Sequence, residues 1–247
     1  MSLRGRPDRI RTRGEWPGRV ELSMGWARAI ARPWNDHVAA AALRLERGGV
    51  RFLAGSAHLV ASWSPEVLSP ATLPSATRIW VEAGFVVADR LVLLEHGLNR
   101  LETPRHPIEP GSLEPLEELY AIDTDSFDPK WRLGRMGMAE SVAATSRAVV
   151  LRARDNGICV GFAVNGVAMG VGYLQRLAVA TDHRNMGIGT DLVRASLRWA
   201  RGRGAHSMLV NTQVDNTPAA GLYRGLGFND VPGGLLVLRY EPDRKGR

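Results

Sequence analysis

The stretch 174–190 most constrains what this chain can fold into. Residues 171–180 are an apolar run of strand composition, and a polar turn from Thr181 to Met186 follows. Gly187-Ile188-Gly189 then opens a segment whose apolar residues Ile188, Leu192, Ala195 and Trp199 lie on one face of a helix. A strand that turns sharply into an amphipathic helix needs a sheet for that helix to cover, which points to an α/β layer structure. Glycine has no Cβ, so the backbone can turn tightly and approach a ligand closely. The first amides of the helix have no intrahelical acceptor and carry partial positive charge, which suits a phosphate or pyrophosphate. Arg184 adds a charged donor at the mouth. By itself Arg184-x-x-Gly187-x-Gly189 is not specific. It is neither the dinucleotide fingerprint nor a Walker loop.

The alternation continues on both sides. Ser112 is placed to cap a helix with Pro115 in its first turn, and a short helix is predicted at 136–145. Strands are predicted at 148–153 and 157–164. The helix at 187–203 leads to a strand at 206–213, a helix at 217–226 and two last strands at 227–231 and 235–240. Residues 97–111, with Pro104, Pro107 and Pro110, read as a linker. This divides the chain into a flexible basic tail at 1–19, a partial domain at 20–100 and a larger domain at 101–241.

In the first part, 36–46 reads as a helix, 57–62 as a strand, 73–83 as a helix and 86–95 as a strand. An internal echo links the parts. The segment from Ser75 parallels the one from Pro218, with Trp80 opposite Tyr223 and Phe85 opposite Phe228.

Composition narrows the function classes. Among 247 residues 45% are hydrophobic and 23% charged, ordinary globular values. No apolar run is long enough for a transmembrane helix, and no apolar segment follows the arginine-rich start as a secretory signal requires. Cys159 is the single cysteine, so no intrachain disulfide forms and a cytoplasmic setting is expected. The net charge of +7 raises nucleic acid as a partner. Only Lys130 and Lys245 of the 32 basic residues are lysines, a skew that fits coding bias better than a binding surface, so neither nucleic acid nor membrane is expected as a partner. The six histidines, among them His106 and His183, show no ligand spacing, so no metal is expected.

After the turn come Asn216-x-x-Ala219-x-x-Leu222-Tyr223 and Gly227-Phe228. With Leu177-Ala178-Val179 and Arg184-x-x-Gly187-x-Gly189, this order and spacing resembles the GCN5-related N-acetyltransferase (GNAT) family over about residues 106–241. The resemblance implies a mixed α/β sheet flanked by helices, preceded by a partial, degenerate copy of the same fold. It implies acetyl-CoA as co-substrate and direct transfer to a primary amine of a small molecule or a protein N-terminus. Arg184, Asn185, Met186, Gly187, Ile188, Gly189 and Thr190 would hold the CoA pyrophosphate. Leu177, Ala178 and Val179 would face the pantetheine and thioester from a bulged strand. Asn216, with Ala219, would meet the pantetheine arm, and Tyr223 would protonate the departing thiolate.

The sequence departs from the family at the general base. Related enzymes carry a glutamate where this chain has Asn211 or Tyr173. Gln175, Asn211 and Gln213 are candidates to bind the acceptor. Asp215 is the one carboxylate nearby, and a water chain can replace a dedicated base. Asp123, Asp125, Phe127 and Trp131 lie where the family shapes its acceptor pocket. A non-catalytic acyl-CoA-binding regulatory module is the alternative. The first part, lacking the glycine turn, is expected to bind no CoA and to brace the active domain.

Overall fold

The computed structural model describes residues 9–242, so Arg4 and Arg6 of the basic tail lie outside the described residues. The chain forms two compact units. Unit 1 takes the chain to Trp34, Val38–Leu91 and everything from Leu235, while unit 2 takes Asn35–His37 and Val92–Gly234. The division thus falls after Leu91, earlier than the linker suggested, and the last strand segment is counted with unit 1.

Unit 1 runs β1 (Arg11–Arg13), β2 (Val20–Met24), β3 (Ala27–Pro33), β4 (Ala40–Arg47), α1 (Val50–Ala61), β5 (Glu66–Leu68), α2 (Arg78–Glu82) and the start of β6 (Phe85–His96). Strands β1 to β4 pair antiparallel in sequence order, and β4 then pairs parallel with β5. Two expectations fail here. Residues 36–46 are not helical: β4 fills most of that span. Its Ala40-Ala41-Ala42-Leu43 run is paired on both edges and mostly buried, so it lacks the alternation that marks a half-exposed strand. Residues 57–62 are not a strand but the end of α1, whose buried Phe52, Leu53, Ala57 and Val60 form one helical face. The segment read as a flexible tail holds β1, paired to β2, and Trp16, which packs 5.9 Å from Trp63.

Unit 2 holds the end of β6, then β7 (Ile108–Gly111), α3 (Leu116–Ser126), α4 (Gly134–Ala143), β8 (Arg147–Asp155), β9 (Ile158–Ala168), β10 (Val171–Val179), α5 (Ile188–Gly202), β11 (Ser207–Gln213), α6 (Thr217–Gly225) and the start of β12 (Asn229–Tyr240). Strands β7 to β10 pair antiparallel in order, and β10 pairs parallel with β11. The order therefore repeats that of β1 to β5, with α3 and α4 added after the first strand. The sheet is covered on one face by α5, through Ile188, Leu192, Val193 and Leu197. Its other face packs Leu119, Ile122 and Met138 of α3 and α4 on Val150, Phe162 and Val164. Ala195 and Trp199, expected on the buried face of α5, are its partly buried margin.

Three boundaries differ from the sequence reading. Pro115 precedes α3 in extended conformation instead of lying in its first turn, and Ser112 Oγ accepts from the N–H of Glu114. The expected linker contains β7, hydrogen-bonded along β8. The two final strands are one, β12, which passes Gly233 and Gly234 with positive φ at both.

The internal echo is structural. In each unit a short helix ends at a glycine of positive φ, Gly84 (95°) or Gly227 (89°), followed by a buried phenylalanine that opens a strand or lies next to one. Trp80 meets Phe85 edge-on at 4.9 Å and Tyr223 meets Phe228 at 5.6 Å. A side chain at Gly227 would be forced into left-handed backbone 3.3 Å from the His96 ring. Gly227→Ala is thus expected to lower stability by about 1–2 kcal/mol in urea melts. Gly221→Ala, in open space within α6, is expected to raise it by roughly 0.5–1 kcal/mol.

Candidate functional site

Strand β10 carries one residue more than β9. Leu174 stands opposite Asn165 and Arg176 opposite Val164, which leaves Gln175 as a bulge. At the same level the β10–β11 ladder ends, at Leu174 and Val210, although both strands run on. Backbone groups from Gln175 to Val179 on one strand and from Asn211 to Gln213 on the other are therefore free of each other.

Beyond the opening, the turn into α5 alternates left-handed residues, Asn185 (φ 61°) and Gly187 (φ 85°), and Gly187 caps the helix. Arg184, Asn185, Met186 and Gly187 are exposed. The N–H groups of Ile188, Gly189 and Thr190 start the helix with no intrahelical acceptor. Arg184 donates Nε to the carbonyl of Val179. Asn216 caps α6, its Oδ1 accepting from Ala219 N–H at 3.3 Å, so its amide nitrogen stays available.

A cleft of about 540 Å³ joins these parts to the end of α3. Arg184, Gln213, Asp215 and Asn216 line one wall, and Asp125, Phe127, Asp128, Trp131 and Arg132 the other. The structure thus brings Asp125, Phe127 and Trp131 to the same cleft as the donor-side residues. It does not bring Asp123, Gln175 or Asn211 there. Asp123 is buried and pairs with Arg176 at 2.5 Å. Gln175 turns its buried, unpartnered Nε2 toward Gly166, and Asn211 is exposed outside the cleft lining.

Arg176 organises the second wall. The bulge puts it on the α3 side, with its guanidinium 3.4 Å from the Phe127 ring centre and NH2 on the Trp131 carbonyl. Asp123 also accepts the Leu133 N–H, and Asn35 of unit 2 donates to the carbonyls of Pro129 and Arg132. The loop between α3 and α4 is thereby fixed by hydrogen bonds to groups far away in sequence. Asp125 accepts from Thr181 Oγ1 and N–H, which hold its carboxyl below the ordinary range, with a smaller contribution from Arg184. Tyr223 is 4% exposed. Burial raises its hydroxyl pKa and the charge of Arg176 opposes that, so the phenol is protonated at neutral pH.

Residues 116–228 match the acetyltransferase (GNAT) family. Unit 2 thus carries a GNAT-family domain. Over 57 residues, 23% of the chain, it is 42% identical to N-alpha-acetyltransferase 30 of Schizosaccharomyces pombe, covering 38% of that protein. Over 60% of the chain it is 28% identical to the mycothiol acetyltransferase of Pseudarthrobacter chlorophenolicus, covering 42% of it. The chain spans less than half the length of these curated relatives. A tandem GNAT protein from the clavulanic acid biosynthesis pathway superposes on 91% of the chain with a TM-score of 0.62 at 15% identity, covering 82% of that structure, which is a likeness of fold.

Behind the turn lies an interaction that sequence reading missed. Asp191, one turn into α5, has a side chain only 2% exposed. Burial alone would push its carboxyl up. The N–H and ring of His106, the guanidinium of Arg194 and the backbone of Arg105 more than reverse this and hold it at about 2. Arg194 also pairs with Glu102, which anchors it from a second side. Nothing in the spacing signals it, since Glu102 and His106 lie more than eighty residues from their partners. A carboxyl depressed in the folded state stabilises the fold above its unfolded pKa near 4, and that stabilisation is lost as pH falls toward 2. Asp191→Asn is expected to cost on the order of 2 kcal/mol at pH 7, with the gap to wild type closing between about pH 4 and 2 in denaturant titrations.

Proposed function

We propose that unit 2 is an N-acetyltransferase that moves the acetyl group of acetyl-CoA directly to a primary amine, on a small molecule or a protein N-terminus. The observation that carries this reading is the parting of β10 from β11 at the bulge, beside a turn of outward amides and above a cleft that reaches both. A flexible pantetheine arm fits between the parted strands, where Leu177, Ala178 and Val179 are no longer paired with β11. The amides of Asn185 to Thr190, with Arg184, suit the pyrophosphate. Asn216 and Ala219 start the helix on the far side of the arm.

The amine nitrogen attacks the thioester carbon, and an amide of β10 stabilises the oxyanion that forms. Collapse expels the CoA thiolate, and Tyr223, held protonated by its burial, supplies a proton to the sulfur. The attacking amine must give up a proton. Asp128 and Asp215 line the cleft without a side-chain hydrogen bond among the described residues and can receive it, directly or through water. Gln213 also lines the cleft, and we assign it the orientation of the acceptor. A buried phenol within reach of the Arg176 charge favours turnover over binding alone. Unit 1 has no counterpart of the Arg184-x-x-Gly187-x-Gly189 turn, and we assign it a bracing role without a donor site.

Two measurements check this. Thiol release from acetyl-CoA, followed across an amine panel, is expected for the wild type. It should fall by about 10²-fold in kcat for Tyr223→Phe, with little change in the acetyl-CoA KM. A wild type that binds CoA yet turns over no amine would leave the domain a binding module. Calorimetric titration with CoA is expected to saturate at one equivalent per chain, and a second equivalent would refute the role given to unit 1.

A further inference from the structure

The proposed chemistry uses the turn before α5 but not the histidine beside it. His106 is held twice by one carboxylate oxygen: Asp191 Oδ2 accepts its backbone N–H at 2.9 Å and lies 2.7 Å from its Nδ1. These two contacts fix both the chain position and the rotation of the ring. With Nδ1 committed to the carboxylate, Nε2 is the nitrogen left to act. The His106 side chain is 44% exposed, although its partner is buried. Its Cε1, the carbon between the two ring nitrogens, lies 3.5 Å from where a Cβ on Gly187 would stand. The imidazole therefore flanks Gly187, the residue that caps α5.

We infer that His106 is a further ligand of the donor's pyrophosphate, its Nδ1–H donating to Asp191 and its Nε2–H donating to a phosphate oxygen. This rests on the reading of unit 2 as an acyl-CoA enzyme. A ring N–H that donates to a carboxylate or to a phosphate oxygen makes a charge-assisted hydrogen bond. The arrangement also answers an electrostatic difficulty. Asp191 places a carboxylate, ionised at any physiological pH, one turn behind a site for a dianion. Arg194 covers one of its oxygens and His106 the other, which leaves the outer nitrogen of His106 for the ligand. Arg184 stands on the exposed turn as a second cation. His106 thus turns a local repulsion into part of the cradle, and it does so from a segment outside the glycine turn.

The test compares ligands that differ only in phosphates. CoA, 3′-dephospho-CoA and pantetheine are titrated into wild type, His106→Ala and His106→Asn, with pantetheine measured by competition against CoA. Asparagine keeps a donor for Asp191 and lacks the outer nitrogen, and ligand-free melting curves show whether each variant is folded. CoA and 3′-dephospho-CoA should both bind roughly tenfold more weakly to either variant, with pantetheine unchanged. Unchanged CoA affinity would overturn the inference. So would an equal loss for pantetheine, which would mark a structural effect, or a loss seen with CoA but not with 3′-dephospho-CoA, which would place the contact on the 3′-phosphate. A wild type that fails to bind CoA would sink the acyl-CoA reading itself, and the inference with it.

Discussion

Between Leu174 and Arg176, β10 gains a residue that β9 does not match, and β11 lets go of it at the same level. Two consequences follow from that single mismatch. An unpaired strand edge inside a sheet is costly unless something bonds it, so the parted ladder is a standing invitation to a ligand with amide-like groups of its own. The bulge also puts Gln175 and Arg176 on the same face, where a regular strand would put them on opposite faces. Arg176 is thereby delivered to Asp123, Phe127 and the Trp131 carbonyl. One extra residue accompanies the parting of two strands and anchors the loop that forms one wall of the cleft.

Two buried carboxylates then fix the segments around the site. Asp123 takes Arg176 and the Leu133 N–H, and Asp191 takes His106, Arg194 and the backbone before them. An ionised group out of water is tolerated only when its lone pairs are met, and a pair that loses one partner leaves the other uncompensated. Such contacts add less to net stability than their geometry suggests, but they leave few alternative arrangements. Both carboxylates sit on helices, α3 and α5, and both reach to loops. The loops that face the cleft are thus positioned from rigid elements behind them.

What was legible in the sequence is what local pattern dictates. The glycine turn, the stripe on α5 and the Asn216-to-Phe228 segment each declare themselves within a dozen residues, and unit 2 is laid out much as they suggest. The errors cluster where a pattern is ambiguous by its physics. An alanine-rich strand paired on both edges has no alternation, so 36–46 looked helical. A helix with an apolar end, α1, looked like a strand over 57–62. In the cleft, Asp125, Phe127 and Trp131 were placed from the family resemblance, whereas Asp128 and Arg132 were not singled out. The roles of Arg176, Asp191 and His106 come from contacts across 53 to 85 residues, which no spacing rule can reach.

Unit 1 makes the same argument in reverse. Its strands repeat the pairing of β7 to β11, down to the parallel step from β4 to β5. Its extra residue lies elsewhere: Glu46, at the far end of β4, between positions opposite Ala29 and Arg28. The turn that follows is Gly48-Gly49, with no arginine three residues before the first glycine. A Cβ on Gly48 would stand 2.8 Å from the Phe52 ring and 3.1 Å from Ala27, so apolar side chains crowd the turn where the corresponding turn of unit 2 stays open and polar. The strand order repeats, and the bulge and the turn do not. The difference lies in where one bulge falls and in what lines one turn, and a shared fold does not by itself fix the chemistry of a site.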